Sequence, residues 1–150
     1  MSDTSAVEIL LVEDNPQDVE LTLRALRKAN VTNRILVAHD GEEALQFIFC
    51  EGPHAERKIE DGPRVVLLDL KLPKVDGLEV LQRIEGDPRT KAIPIVVLTS
   101  SREQRDVVES YQLGVNSYIV KPVDFEQFAV AAQQLGLYWM LLNQPPNVEE

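Results

Sequence analysis

Five short aliphatic runs, each followed by a segment with helical spacing of apolar residues, restrict the fold more than any other feature of the sequence. The runs that read as β-strands are VEILLVE (7–13), RILVA (34–38), RVVLLD (64–69), IPIVVLT (93–99) and SYIVK (117–121). Three of them are nearly continuous in apolar residues, which is typical of parallel strands that helices cover on both faces. The alternation therefore predicts an α/β domain built on a parallel sheet.

Helix start and stop signals fill the segments between the runs. Asn15 and Pro16 supply an N-cap and a first-turn proline for the first helix. Ser100, which has capping-box spacing to a glutamate, is predicted to start the fourth helix, and Gly114 is placed to stop it. Asp124 is predicted to open the fifth helix, whose expected inward stripe is Phe125, Phe128, Ala129 and Ala132.

Two further helices are expected at about 41–50 and 77–86. Five β/α units in a chain of this length predict a flavodoxin-like, doubly wound (βα)5 fold with strand order 2-1-3-4-5. In this architecture ligands bind outside the carboxyl ends of the strands, at the switch point between strands 1 and 3. Residues at the ends of the runs are therefore the first candidates for a functional site.

Composition argues against several classes of function. The chain of 150 residues has a formal net charge of -10 and contains no basic run, which argues against nucleic acid as its main ligand. Cys50 is the only cysteine, so no internal disulfide is possible and a reducing compartment is expected. The sequence shows neither a signal-peptide pattern nor an apolar run near the ~20 residues of a membrane helix. We therefore expect a cytoplasmic protein without membrane partners.

Polar side chains stand where four of the predicted strands end. Strand 1 ends in Glu13 and Asp14, strand 3 in Asp69, strand 4 in Thr99 and strand 5 in Lys121. Because the carboxyl ends of parallel strands share one edge of the sheet, we expect these side chains to lie together. Three crowded acids repel one another, and a hard cation such as Mg²⁺ would remove that conflict. A hydroxyl and an ammonium facing the same point suit the oxygens of a phosphoryl group.

Four segments resemble the signatures of response-regulator receiver domains: LLVEDNPQD, VVLLDLKLPKVDGLEVL, IPIVVLTS and SYIVKP. The resemblance covers residues 7–142, with 1–6 and 143–150 as terminal tails. It implies a phosphoacceptor that takes a phosphoryl group from a sensor histidine kinase with Mg²⁺ as cofactor, a signalling role rather than that of an enzyme in the ordinary sense. The implied acceptor is Asp69.

The same resemblance implies roles for the other residues. Asp14, Asp69 and the backbone carbonyl of Lys71 would bind the metal, with Glu13 acting through a metal-bound water. Thr99 would be the switch hydroxyl, and Lys121 would be the ion-pair partner of the phosphoryl group. Tyr118 would turn inward on activation, and a surface of helix 4, strand 5 and helix 5 would carry the change to a partner. The resemblance further implies a cis peptide before Pro122.

Two segments are unusual, and they make the chain similar to a smaller group within the receiver domains. The segment EGPHAERKIEDGP (51–63) is long for a connection, which makes it either functional or mobile. With the extended ending LGLYWMLL, it makes the chain similar to single-domain regulators paired with bacterial phytochrome-type histidine kinases.

Apolar residues near the end also indicate an interface, which we interpret as a homodimer contact, with a capped extension of the core as the alternative. The interface candidates are Leu137, Tyr138, Trp139 and Leu141.

Two other functions fit parts of the pattern. A Mg²⁺-dependent phosphatase of the haloacid-dehalogenase type also uses an aspartate after a buried strand. That chemistry usually needs a second aspartate two residues on, where this chain has Lys71. A phosphorylation-independent binding module on the same fold is disfavoured by the intact acids, Thr99 and Lys121, but stays open as the alternative function.

Overall fold

The five aliphatic runs form one parallel sheet in the order β2-β1-β3-β4-β5, which confirms the predicted topology. The computed structural model describes residues 7–28, 31, 34–115 and 117–136. The strands are β1 (Ile9–Val12), β2 (Ile35–Ala38), β3 (Val65–Asp69), β4 (Ile95–Thr99) and β5 (Ser117–Val120). The helices are α1 (Pro16–Lys28), α2 (Gly41–Ile48), α3 (Gly77–Glu85), α4 (Arg102–Ser110) and α5 (Phe125–Gln134).

Helices on both faces of the sheet explain the continuous apolar runs. Every residue of β1, β3 and β4 is buried, because alternate side chains enter two separate cores. One core joins the sheet to α1 and α5, and the other joins it to α2, α3 and α4. Burying one Leu or Ile side chain contributes about 1.5–3 kcal/mol, so these central strands hold much of the stability. The fully buried Leu and Ile side chains of the strands are Ile9, Leu10, Leu11, Leu67, Leu68, Ile95, Leu98 and Ile119.

The strand register brings the carboxyl ends of the central strands to one edge. Val12 is paired with Leu68, and Thr99 is paired with Val120. The pairing continues one residue further at two places, since the Glu13 amide donates to Ala38 O at 3.0 Å. The Lys121 amide likewise donates to Thr99 O at 2.7 Å. The residues after β1 and β5 are therefore held by backbone hydrogen bonds at the same edge as Asp69.

Two of the predicted helix caps, Asn15 and Asp124, are present. The Asn15 side chain accepts hydrogen bonds from the amides of Gln17 and Asp18, at 2.8 and 3.1 Å. The Asp124 side chain accepts from the Gln127 amide at 2.8 Å. These side chains satisfy backbone donors that the first turn of a helix leaves without partners.

Three details of the predicted helices are wrong. The N-cap of α4 is Ser101 rather than Ser100, because the Gln104 side chain binds the Ser100 amide and leaves Ser101 to accept from the Gln104 amide. The same helix ends at Ser110, four residues before Gly114. Phe125 is 42% exposed. It lies beside Leu21 and Ala25 of α1, in a shallow cleft, and not over the sheet.

The long segment at 51–63 is folded against the end of α2. It contains two short 3-10 turns, Gly52–His54 and Ile59–Asp61. The Arg57 guanidinium donates to Phe47 O and to Asp61 O, and it lies 3.9 Å from the centre of the Phe47 ring. One side chain thus ties both halves of the segment to α2.

No helix in the described part of the chain is both long enough and apolar enough to span a membrane.

Candidate functional site

Asp69 lies at the end of a fully buried strand and keeps only a small exposed surface. It is the last residue of β3, and it is 4% exposed. The chain then turns tightly, because the Gly77 amide at the start of α3 donates to Leu70 O at 2.9 Å. A Cβ at Gly77 would lie 2.3 Å from Asp69 O, so only glycine lets α3 start so close to this carboxylate. The loop therefore passes close to Asp69 and leaves only a small part of it exposed.

Three carboxylates converge at this edge, as the sequence predicts. Oxygen atoms of Glu13, Asp14 and Asp69 lie within 4.8 Å of one another. Glu13 is completely buried, and its Oε2 accepts a hydrogen bond from the Asn15 amide at 3.2 Å. Asp14 is exposed and Asp69 is nearly buried. The group therefore combines a fixed acid, an accessible acid and the candidate acceptor.

Lys121 supplies the positive charge of the site. Its Nζ lies 3.2 Å from Glu13 Oε1 and 3.3 Å from Asp69 Oδ1. It also lies 3.0 Å from Asp18 Oδ2. Burial lowers the pKa of Lys121, but the hydrogen bond that it donates to Asp18 and the charges of Asp69 and Glu13 outweigh burial and raise it. Lys121 is therefore a permanent ammonium in this site.

The positive charge of Lys121 does not balance the negative charges of Glu13, Asp14 and Asp69. Burial and then the charge of Asp69 raise the pKa of Glu13 to about 7, despite the opposing effects of the Asn15 amide and Lys121. The ionised site thus has a surplus of negative charge that a bound cation would relieve. Hard oxygen ligands of this kind are those that Mg²⁺ prefers, usually with several of its waters retained. The donor set fits Mg²⁺, with Asp14, Asp69 and Glu13 as the residues that could hold it.

Thr99 and Tyr118 occupy neighbouring strands. Thr99 is the last residue of β4 and is 1% exposed, so its position relative to Asp69 is fixed by the sheet. Tyr118 is half-buried in β5 and packs against the core on the α4 side. The Arg105 guanidinium of α4 lies 4.6 Å from the centre of its ring. Burial, followed by the charge of Glu109, raises the pKa of the Tyr118 hydroxyl.

Three further predictions concern the peptide before Pro122, the carbonyl of Lys71 and the interface candidates. The Lys121–Pro122 peptide is cis, as the resemblance implies. Lys71 lies in the exposed loop after β3, and the role of its carbonyl as a metal ligand stays a prediction. The interface candidates lie outside the described residues, so the dimer contact also stays a prediction: Leu137, Tyr138, Trp139 and Leu141.

Sequence reasoning missed Asp18. It belongs to the first turn of α1, where acids are common because they interact favourably with the helix dipole. Its contact with Lys121 spans 103 residues of sequence. The available signal was its position four residues after Asp14, one helical turn from the edge of the sheet, but this spacing alone does not specify a partner.

The chain belongs to the family of response regulator receiver domains, whose sequence model matches residues 9–133. It is thus a receiver-domain response regulator of two-component systems. It is 37% identical over 132 residues to the response regulator Rcp1 of Synechocystis sp., with 88% of each chain covered.

Solved structures agree in fold and extend the likeness. The bacteriophytochrome response regulator AtBRR is 54% identical with a TM-score of 0.83, covering 93% of this chain and 99% of its own. The Mn²⁺-bound form of Rcp1 has a TM-score of 0.70 at 34% identity, with 93% and 97% covered. The phosphorylated cyanobacterial phytochrome response regulator RcpA has a TM-score of 0.70 at 38% identity, with 92% and 95% covered.

Proposed function

We propose that the protein is a stand-alone response regulator that accepts a phosphoryl group on Asp69 from a sensor histidine kinase. The observation that carries the proposal is the nearly buried carboxylate of Asp69, with the Lys121 ammonium 3.3 Å away and two further acids converging on it. Relatives of similar length that are described as phytochrome response regulators support the stand-alone character and a phytochrome-type kinase as the partner.

The chemistry is a transfer between two nucleophiles. A carboxylate oxygen of Asp69 attacks the phosphorus of a kinase phosphohistidine, a P–O bond forms, and the P–N bond breaks with its electrons returning to the imidazole. The transition state is loose, so positioning and charge neutralisation matter most. Lys121 offsets negative charge on the transferred oxygens. Bound Mg²⁺, held by Asp14, Asp69 and Glu13, would supply further charge neutralisation.

Phosphorylation of Asp69 can change the protein surface through movements of Thr99 and Tyr118. A phosphoryl group on Asp69 adds about two negative charges and three acceptor oxygens at the end of β3, and Thr99 is the last residue of the neighbouring strand β4. Movement of Thr99 would leave space for Tyr118, whose ring contacts Arg105 of α4. Shifting a two-state equilibrium from 1:99 to 99:1 requires ~5.5 kcal/mol, which several new contacts must supply together.

The surface formed by α4, β5 and α5 suits an association partner. Four large apolar side chains are about half exposed there, and exposed apolar groups of this kind often mark interaction sites. Together they give a phosphorylation-dependent surface for a partner protein or a second copy of the chain. They are Val107 at 52%, Tyr111 at 48%, Val120 at 55% and Val130 at 54% exposed.

Intact mass spectrometry tests the proposal. After incubation with acetyl phosphate and Mg²⁺, the wild-type protein should gain the mass of one phosphoryl group, with loss of the adduct in base. Asp69→Ala should gain nothing, whereas Asp106→Asn, which removes the same charge from an exposed position on α4, should behave as wild type. A wild-type protein that stays unmodified would instead favour a phosphorylation-independent binding module on the same fold.

A further inference from the structure

The ammonium of Lys121 is fully occupied before any phosphoryl group is present. Its two shorter contacts, 3.0 Å to Asp18 and 3.2 Å to Glu13, are hydrogen bonds. Its contact with Asp69 is an ion pair at 3.3 Å, the longest of the three. An ammonium has three donors and no acceptor, so three carboxylates are sufficient to engage it completely.

Asp18 differs from the other two partners of Lys121. Glu13 and Asp69 are buried and belong to the group of converging acids, whereas Asp18 lies on α1 with its side chain 30% exposed. A favourable interaction with the dipole of α1 explains an acid in its first turn. It does not explain why this acid makes the shortest contact of a lysine that follows β5.

We propose that Asp18 is a resting-state partner of Lys121 that competes with a phosphoryl group on Asp69 for the ammonium. The inference rests on the proposed function, because it assigns a role to Asp18 in the same transfer. Asp18 is a positioning residue that acts through Lys121 and touches no reacting atom.

The competition follows from the donors available to Lys121. A phosphoryl group on Asp69 presents three acceptor oxygens, and the ammonium has no unused donor with which to bind them. The donor that now faces Asp69 can pass to one phosphoryl oxygen, but a second bond to the phosphoryl group requires Lys121 to give up its contact with Asp18 or with Glu13. Asp18 is the partner it would release, because a charge on the fully buried Glu13 costs more to leave without Lys121 than a charge on the partly exposed Asp18.

Removal of the charge on Asp18 should therefore speed the transfer. Asp18→Asn keeps a weak acceptor but loses the carboxylate, and we expect phosphorylation by acetyl phosphate to accelerate about fivefold, the effect of losing one partly exposed ion pair. Glu20→Gln is the matched control, since it removes the same charge from an exposed position on the same helix. We expect no acceleration in that control.

A double-mutant cycle shows whether the effect passes through Lys121. The rate of adduct formation, measured by intact mass in Mg²⁺, is compared for Asp18→Asn in the wild-type and Lys121→Met backgrounds. We expect the acceleration to vanish in the second background, because its cause is the release of Lys121. An acceleration that persists there, an unchanged rate or a slower rate in Asp18→Asn would overturn the inference.

A second readout does not depend on phosphorylation. The ¹H–¹⁵N signal of the Lys121 ammonium in the metal-free protein should shift and exchange faster with water in Asp18→Asn than in Glu20→Gln. Identical signals in the two variants would refute the Asp18 contact. If the wild-type protein forms no adduct at all, the proposed function fails, and the inference fails with it. If the wild-type protein is phosphorylated normally but Asp18→Asn is not phosphorylated, only the inference fails.

Discussion

At the scale of single residues, Glu13 carries the clearest consequence for pH. Its folded pKa is about 7 against 4.5 in the unfolded chain, because burial and the charge of Asp69 both oppose its ionisation. Between these two values the folded protein binds more protons than the unfolded chain does. The contribution of Glu13 to the free energy of unfolding is therefore fully present below about pH 4.5 and is lost as the pH rises to about 7.

We predict that the free energy of unfolding of the metal-free protein, measured with urea in EDTA, contains this loss of at most about 3 kcal/mol. Glu13→Gln is the matched control because it keeps the shape but cannot titrate, so the wild-type curve should fall relative to it. Added Mg²⁺ should reduce the fall, since a cation stabilises the ionised carboxylate. Parallel curves for the two proteins in EDTA would contradict the assignment.

The residues of the site show how far sequence reasoning extends. Glu13, Asp69, Thr99 and Lys121 were predictable together, because each stands at the end of a strand and parallel strands share one edge. Asp18 was not, because no local rule selects which acid a lysine 103 residues away will contact. Such a partnership depends on the placement of α1 relative to β5, which is a property of the whole packing.

At the scale of elements, the segment 51–63 makes a prediction of its own. Arg57 donates to the carbonyls of Phe47 and Asp61 and covers the Phe47 ring, so we expect Arg57→Ala to release both 3-10 turns. Loss of these contacts should cost about 1 kcal/mol in unfolding free energy. It should also increase amide hydrogen exchange across the segment.

Lys58→Ala, a truncation of the exposed neighbouring residue, is the control and should leave the exchange rates unchanged. Arg57→Lys should resemble Arg57→Ala, because an ammonium cannot reproduce the planar fork of the guanidinium. Exchange rates in Arg57→Ala equal to those of wild type would show that the segment is held by other contacts.

The elements themselves were predicted well where burial is continuous and less well at their ends. The core strands follow from aliphatic runs that only a covered parallel sheet explains. The start of α4 was displaced by one residue because two serines in succession can both cap a helix, and the side chain of Gln104 decides between them. Phe125 has the spacing of a core residue but lies at the first position of α5, where it packs beside α1 in a cleft.

At the scale of the whole molecule, the surface of α4, β5 and α5 and the expected dimer contact can be tested independently by mutation. We predict that the protein is a homodimer in solution and that Trp139→Ala shifts it to monomer in size-exclusion chromatography with light scattering. The reason is the run of apolar and aromatic residues in the sequence from Leu135 to Leu142, which only Gly136 interrupts and which is of the kind that usually marks an interface. Tyr111→Ala truncates an exposed aromatic side chain directly after α4 and should leave the dimer intact. A monomeric wild type, or dissociation by Tyr111→Ala alone, would contradict this placement.

The proposed function requires that the carboxylate at the end of β3 become covalently modified. The most direct measurement treats the protein with acetyl phosphate and Mg²⁺, reduces it with borohydride, and maps the peptides by tandem mass spectrometry. Reduction converts an aspartyl phosphate to homoserine, and we expect this change at position 69 and nowhere else. Conversion at Asp14 or Glu13, or an unchanged Asp69 peptide from a folded and Mg²⁺-loaded protein, would contradict it.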